Sequence, residues 1–152
     1  MGELVAAVRE AADAYHRLVL IVGPIASGKS ARAMSASIDE GWPTLNVNRL
    51  LAENLLELGV RERVIRCQAV LVDAIAMSGG TTVVLDNIEL LFEDHLKQDP
   101  LRLLKSLSRT TTLVVSWPGS FDGRNLTFAE PGHRDYRNYA DPDVRILKMD
   151  HA

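Results

Sequence analysis

The period of the hydrophobic positions changes along the chain, and each change marks an element. Leu4, Val5, Val8, Ala12 and Tyr15 recur at three- and four-residue spacing, the stripe of an amphipathic helix. The pattern then closes into LVLIV (18–22), a short, continuous, β-branched run stopped by Gly23-Pro24. Such a run reads as a strand buried on both faces, as in a parallel sheet. A helix is predicted from near Gly28 to a C-cap at Gly41. PTLNVN (43–48) predicts a second strand, with Asn48 capping a helix whose stripe is Leu51, Leu55 and Leu58 and whose stop is Gly59. Another helix is predicted over roughly 61–77, ending at Gly79-Gly80. TTVVLD (81–86) is a third strand with a carboxylate at its end, and PLRLLKSLSR (100–109) a helix with Pro100 in its first turn. TTTLVVS (110–116) is a fourth strand, ended by Trp117-Pro118-Gly119. The stretch 121–143 reads as polar loop, and DVRILKM (143–149) as a fifth strand, with LTF (126–128) its weaker rival. Strands alternating with helices predict a parallel α/β sheet in a single domain, 1–152.

Composition narrows the class. At 152 residues, 47% hydrophobic and 24% charged, the chain has the size and balance of one globular domain that needs no disulfide to fold. Its net charge of -3 argues against a wholesale electrostatic grip on nucleic acid, while leaving room for a local basic patch. DNA therefore stays on the list of partners without support from net charge. The one cysteine, Cys67, lies in an apolar helical pattern and reads as core; its solitude fits a reducing, cytoplasmic setting. The first residues are charged throughout and show no signal peptide, and no run approaches a membrane span, so no membrane partner is expected. Arg61, Arg63 and Arg66, like Arg102, Lys105 and Arg109, read as solvated helix faces. His16, His95, His133 and His151 show no metal-ligand spacing.

The chemistry concentrates in GPIASGKS (23–30), which satisfies the P-loop pattern G-x-x-x-x-G-K-[ST] at every fixed position. Average residue usage makes those positions recur by chance in roughly half a percent of chains this long. Here the match also lies between a buried strand and a helix, the context the motif requires. Gly23 and Gly28 are expected to take positive φ and bring backbone N–H groups close to phosphate oxygens. With Pro24, Ile25, Ala26 and Ser27 they would form an anion nest at the N-terminus of the following helix. Lys29 would reach the β- and γ-phosphates, and the Ser30 hydroxyl would ligate Mg²⁺. The expected cofactors are ATP and Mg²⁺.

A nucleoside-triphosphate site needs a second half, a carboxylate at the end of another buried strand. Asp86 in TVVLDN fits and would hold Mg²⁺, mostly through water. Many ATPases of the additional-strand class follow that Asp with a Glu that orients the attacking water; here Asn87 follows, which can orient a water but cannot take its proton. Glu89 is either a substitute base, if the strand end is bent, or a capping carboxylate on the next helix, and the second reading is preferred. Ser116, at the end of the fourth strand, is either a γ-phosphate sensor or turn chemistry before Pro118. Arg124, Arg134 and Arg137 lie where AAA+ ATPases place an arginine finger for a neighbouring subunit, and Arg137 in RDYRNY, flanked by tyrosines, is the candidate; a solvated surface is the preferred reading of all three. The binding half of the site looks complete and the hydrolytic half does not.

Together GPIASGKS, LNVNRLLAENLLEL, VVLDNIELLF, LKQDPLRLLKSLSR, VVSWPG and LTFAEPGHRDY resemble the BrxF family, the small P-loop proteins of type 3 BREX phage-defence systems. The likeness in pattern and length covers nearly the whole chain. It implies a bacterial or archaeal protein, encoded with a DNA methyltransferase, a phosphatase-like protein and a larger ATPase, with a part in restricting phage DNA. It implies no mechanism.

The expected fold is a P-loop NTPase three-layer sandwich with a mostly parallel five-stranded sheet in the order 5-1-4-3-2. It is an AAA+-like core without the helical lid, which puts a standard hexameric ring in doubt. The expected function is ATP or ADP binding with slow or partner-stimulated hydrolysis. The protein would act as a switch or assembly factor, as a homo-oligomer or with other BREX proteins. Two alternatives stand beside it. A small-molecule kinase would use 117–140 as an arginine-bearing lid, although NVNRL replaces the acidic substrate-base motif after the second strand. A DNA-binding module would use nucleotide only to set its oligomeric state.

Overall fold

A computed structural model describes residues 2–24, 27–129 and 132–149. Alternation within the buried strands decides the layers. In β1 (Leu18–Gly23), Leu18, Leu20 and Val22 face one side of the sheet. They join Val83 and Leu85 of β3 (Thr82–Asp86) and Leu113 and Val115 of β4 (Thr112–Phe121). Val19 and Ile21 face the other side with Val84 and Val114. Because helices cover both faces, every position of these strands must be apolar, which is why the runs are continuous rather than alternating.

One face is covered by α1 (Glu3–Ala11), through Leu4, Ala7, Val8 and Ala11, and by α2 (Lys29–Glu40), through Ala33. The opposite face is covered by α3 (Val47–Leu55), α4 (Val60–Ser78), α5 (Pro100–Leu107) and two 3-10 turns, Glu89–Phe92 and Asp94–Leu96. Cys67 of α4 is fully buried in this second core, and burial pushes its thiol up to about 11. It is a small core apolar group at neutral pH rather than a nucleophile.

The parallel sheet runs β2 (Thr44–Asn46), β3, β4, β1, β7 (Arg145–Lys148). The predicted architecture, helices on both faces of a mostly parallel sheet, is the one observed. The strand count differs from the expected five, and with it the numbered order: the parallel path reads 7-1-4-3-2 where 5-1-4-3-2 was expected, with two antiparallel strands off this path. Two further strands stand in the stretch 121–143, β5 (Asn125–Phe128), which contains the LTF offered as a rival last strand, and β6 (Arg137–Ala140), where loop was expected; among the described residues the sheet thus has seven strands and its last parallel strand is the seventh.

The cause is local. Trp117-Pro118-Gly119 does not end the fourth strand: β4 runs on to Phe121, turns, and pairs antiparallel with β5, which pairs with β6. The turn is built on Asp122, whose carboxylate accepts from the N–H groups of Arg124 (2.9 Å) and Asn125 (2.7 Å). Those donors hold the Asp122 carboxyl below its ordinary range. An aromatic cluster fastens this hairpin to the core. Phe92 stacks on Phe128 at 3.6 Å and meets Trp117 edge-on at 5.1 Å, and the Trp117 indole N–H donates to the Thr127 carbonyl.

Two helix boundaries also depart from expectation. The first helix stops at Ala11, leaving Tyr15 exposed beyond it. The cap of α3 is Asn46, accepting from the Arg49 N–H at 3.0 Å, and not Asn48. Among the described residues no helix is long and apolar enough to cross a membrane.

Candidate functional site at the carboxyl edge of the sheet

Parallel strands deliver their C-terminal ends to one edge, and the register sets which residues meet there. Ile21 pairs with Ser116, Gly23 with Pro118, and Asn46 with Asp86. Gly23, Asp86 and Ser116 therefore share the edge at which open α/β sheets bind ligands.

The loop after β1 folds back on itself. The Ser27 N–H donates to the Pro24 carbonyl at 3.1 Å. Gly28 caps α2 with φ 92, a left-handed conformation that a side chain would strain. Gly23, expected to share that freedom, is not among the residues at positive φ. Its requirement is space: a Cβ there would lie 2.5 Å from the Ser27 Oγ and 2.7 Å from the Met149 carbonyl oxygen. Ile25 and Ala26 lie outside the described residues.

Lys29 is the first residue of α2 and is buried, its Nζ donating to the Pro24 carbonyl at 3.2 Å. An ammonium held over its own loop by one carbonyl keeps two N–H donors for another acceptor. Ser30 follows, and its Oγ donates to the Asp86 Oδ1 at 2.9 Å. The same carboxylate oxygen accepts from the Asn87 N–H at 2.9 Å. The sequence-predicted pair, 56 positions apart, is thus in direct contact.

One hydroxyl and one carboxylate are hard oxygen ligands suited to Mg²⁺, which takes its remaining ligands from water and phosphate. Among the described residues no group of three or more His, Cys, Asp and Glu side chains gathers to hold a metal. An ion at Ser30 and Asp86 would thus depend on a phosphate-bearing ligand for further coordination.

Two hydroxyls at this edge lack a partner. Ser27 Oγ and Ser116 Oγ are buried and make no hydrogen bond among the described residues. Leaving a buried hydroxyl unpaired costs on the order of 1–3 kcal/mol, so polar groups tucked beside the loop fit a ligand that would complete them. A cavity of about 270 Å³ adjoins the loop between Gly23, Pro24, Gly119, Phe121 and Met149.

The hydrolytic candidates are dispersed. Asn87 is exposed and sits at φ 52, a left-handed position that Asn tolerates better than most residues. Glu89 opens a 3-10 turn, and its Oε1 accepts from the Asn48 side-chain amide at 3.2 Å. Arg137 opens β6 and donates to the carbonyls of Asp135 and Tyr136, at 3.4 and 3.3 Å, so its guanidinium is turned onto the chain just before it. The segment 117–140, read alternatively as a lid, forms the extended end of β4 and the β5–β6 hairpin.

Asn48 is the residue that sequence reasoning misplaced. Its N–H donates to the Asn87 carbonyl at 2.7 Å, and its side-chain oxygen accepts from the Leu90 N–H at 2.8 Å. With the bond to Glu89 it fastens the loop after Asp86 to the start of α3. The local signal, an Asn before an apolar stripe, was shared with Asn46, and only the tertiary pairing separates the two roles.

Comparison with protein-family models, with curated proteins and with solved structures found no match to the chain.

Proposed function

We propose that loop 23–30 is a P-loop that binds ATP or ADP with Mg²⁺, on an AAA+-like core. The observation that carries this reading is the 2.9 Å contact between Ser30 and Asp86, two residues singled out by motif logic alone. The loop amides and the N-terminus of α2 would receive the phosphates. Lys29 would exchange its carbonyl partner for a phosphate oxygen, a stronger charge-assisted bond. Ser30 and Asp86 would hold the metal, and Ser116 would face the γ-phosphate. Hydrolysis is slow in this reading. Asn87 cannot take a proton from water, and Glu89 already accepts a hydrogen bond from Asn48. A nucleotide that is held and turned over slowly suits a switch or assembly factor, and the resemblance to BrxF proteins supports placing that switch in a bacterial phage-defence system. The experiment is nucleotide affinity with and without Mg²⁺. Wild type should bind ATP more tightly with the metal, and Asp86→Asn should lose most of that gain. An Asp86→Asn variant that keeps the full Mg²⁺ effect would refute the metal assignment.

A further inference from the structure

A second cavity, of about 610 Å³, lies away from loop 23–30, along α5 and beyond its end. Arg102, Lys105 and Arg109 line it, spaced three and four apart so that they share one face. None of the three is ion-paired among the described residues. The carboxylate in the cavity wall, Asp99, is engaged elsewhere: it caps α5 through the Arg102 N–H and accepts from the Tyr139 hydroxyl at 2.9 Å. Burial, with that bond, holds the Tyr139 phenol above its ordinary range, so it stays neutral. Three cations against one occupied carboxylate make this wall basic on a chain whose net charge is -3.

Two aromatic rings line the cavity, Tyr139 beside Asp99 and Tyr15 beside Arg109. Tyr15 is 67% exposed, and the Arg109 guanidinium lies over its ring at 4.7 Å. The turn that presents it is fixed, because His16 Nδ1 donates to the Lys105 carbonyl at 3.1 Å. An exposed ring held in place beside cations without an ion pair matches the two parts of a single-strand groove: charges that track phosphates and a ring on which a base stacks. In a duplex the base faces are already stacked on each other, so the ring favours an unpaired strand.

We propose that this cleft binds single-stranded nucleic acid, with Arg102, Lys105 and Arg109 on consecutive phosphates and one base on Tyr15. The site is independent of nucleotide at loop 23–30, so the test uses the nucleotide-free full chain. Fluorescence anisotropy would follow a labelled oligo-dT of about 12 nucleotides, within the usual site sizes of such grooves. With three phosphate contacts on a single strand, log K should fall against log salt with a slope of about -2. The double variant Arg102→Glu/Arg109→Glu should bind at least about 10-fold more weakly and lose most of that slope. Tyr15→Ala should bind about 5- to 150-fold more weakly with the slope unchanged, and Tyr15→Phe should restore affinity. Thermal melting that matches wild type confirms that each variant is folded; the substituted side chains are exposed. Three results would overturn the proposal: no anisotropy change up to about 10⁻⁴ M protein at low salt, equal affinity for the charge-reversed variant, or tighter binding of the same label in duplex form.

Discussion

At the scale of single residues, the loop and its carboxylate were legible because each candidate is tied to a strand end. The end of a buried strand is easily read from a β-branched run that stops at a polar residue or a glycine. Gly28, Lys29, Ser30 and Asp86 fall where that logic put them. Asn48 was not legible, since its partners, Asn87, Glu89 and Leu90, lie about forty positions away and no local pattern announces them. Asn87 illustrates how conformation and chemistry compete for one position. Its φ of 52 disfavours a glutamate there, which would cost about 1–2 kcal/mol in a left-handed backbone. Asn87→Glu should therefore unfold at lower denaturant than wild type while Asn87→Gly does not, as urea titration would show. On the proposed mechanism the same Asn87→Glu variant turns ATP over faster than wild type. A wild-type rate near the enzyme median of about 10 s⁻¹ would contradict the reading of an incomplete hydrolytic site.

Among elements, the parallel strands and long helices were readable from the period of their apolar positions, while the β4–β5–β6 extension was not. Two features masked it. Trp117-Pro118-Gly119 resembles a stop, yet Trp117 is fully buried in the core and the strand continues past it. The strands beyond are short and only half-buried, so they lack a strong alternation. A usable signal was present in Asp122-Gly123-Arg124, a three-residue glycine-bearing hairpin loop set between SF and NLTF. Trp117 joins the extension to the sheet through Phe92, Tyr139 and the Thr127 carbonyl. Trp117→Ala should cost about 3–5 kcal/mol, read as a lower midpoint in chemical denaturation. A loss below about 1 kcal/mol would mean that the extension is not anchored through this side chain.

For the whole molecule, the fold gathers Ser30 and Asp86 beside loop 23–30 at one edge of the sheet and leaves Glu89 and Arg137 bonded to other partners. Arg137 is in the hairpin with its guanidinium engaged by its own turn, so any part in hydrolysis would be toward a neighbouring molecule. An arginine finger supplied this way raises phosphoryl-transfer rates by about 10³–10⁵-fold. We expect nucleotide-dependent association, visible by light scattering, and a drop in partner-stimulated turnover for Arg137→Ala with nucleotide affinity held within a few-fold. A monomer in every nucleotide state, alone and with partners, would remove that role. All of this depends on nucleotide at loop 23–30, where Lys29 is the one buried cation that the loop holds. Calorimetric titration of wild type and Lys29→Ala with Mg·ATP tests it directly. Loss of a charge-assisted hydrogen bond should weaken binding by about 1.5–3 kcal/mol, roughly 10- to 150-fold; equal affinity in the two proteins, or no heat of binding in wild type, would contradict the assignment.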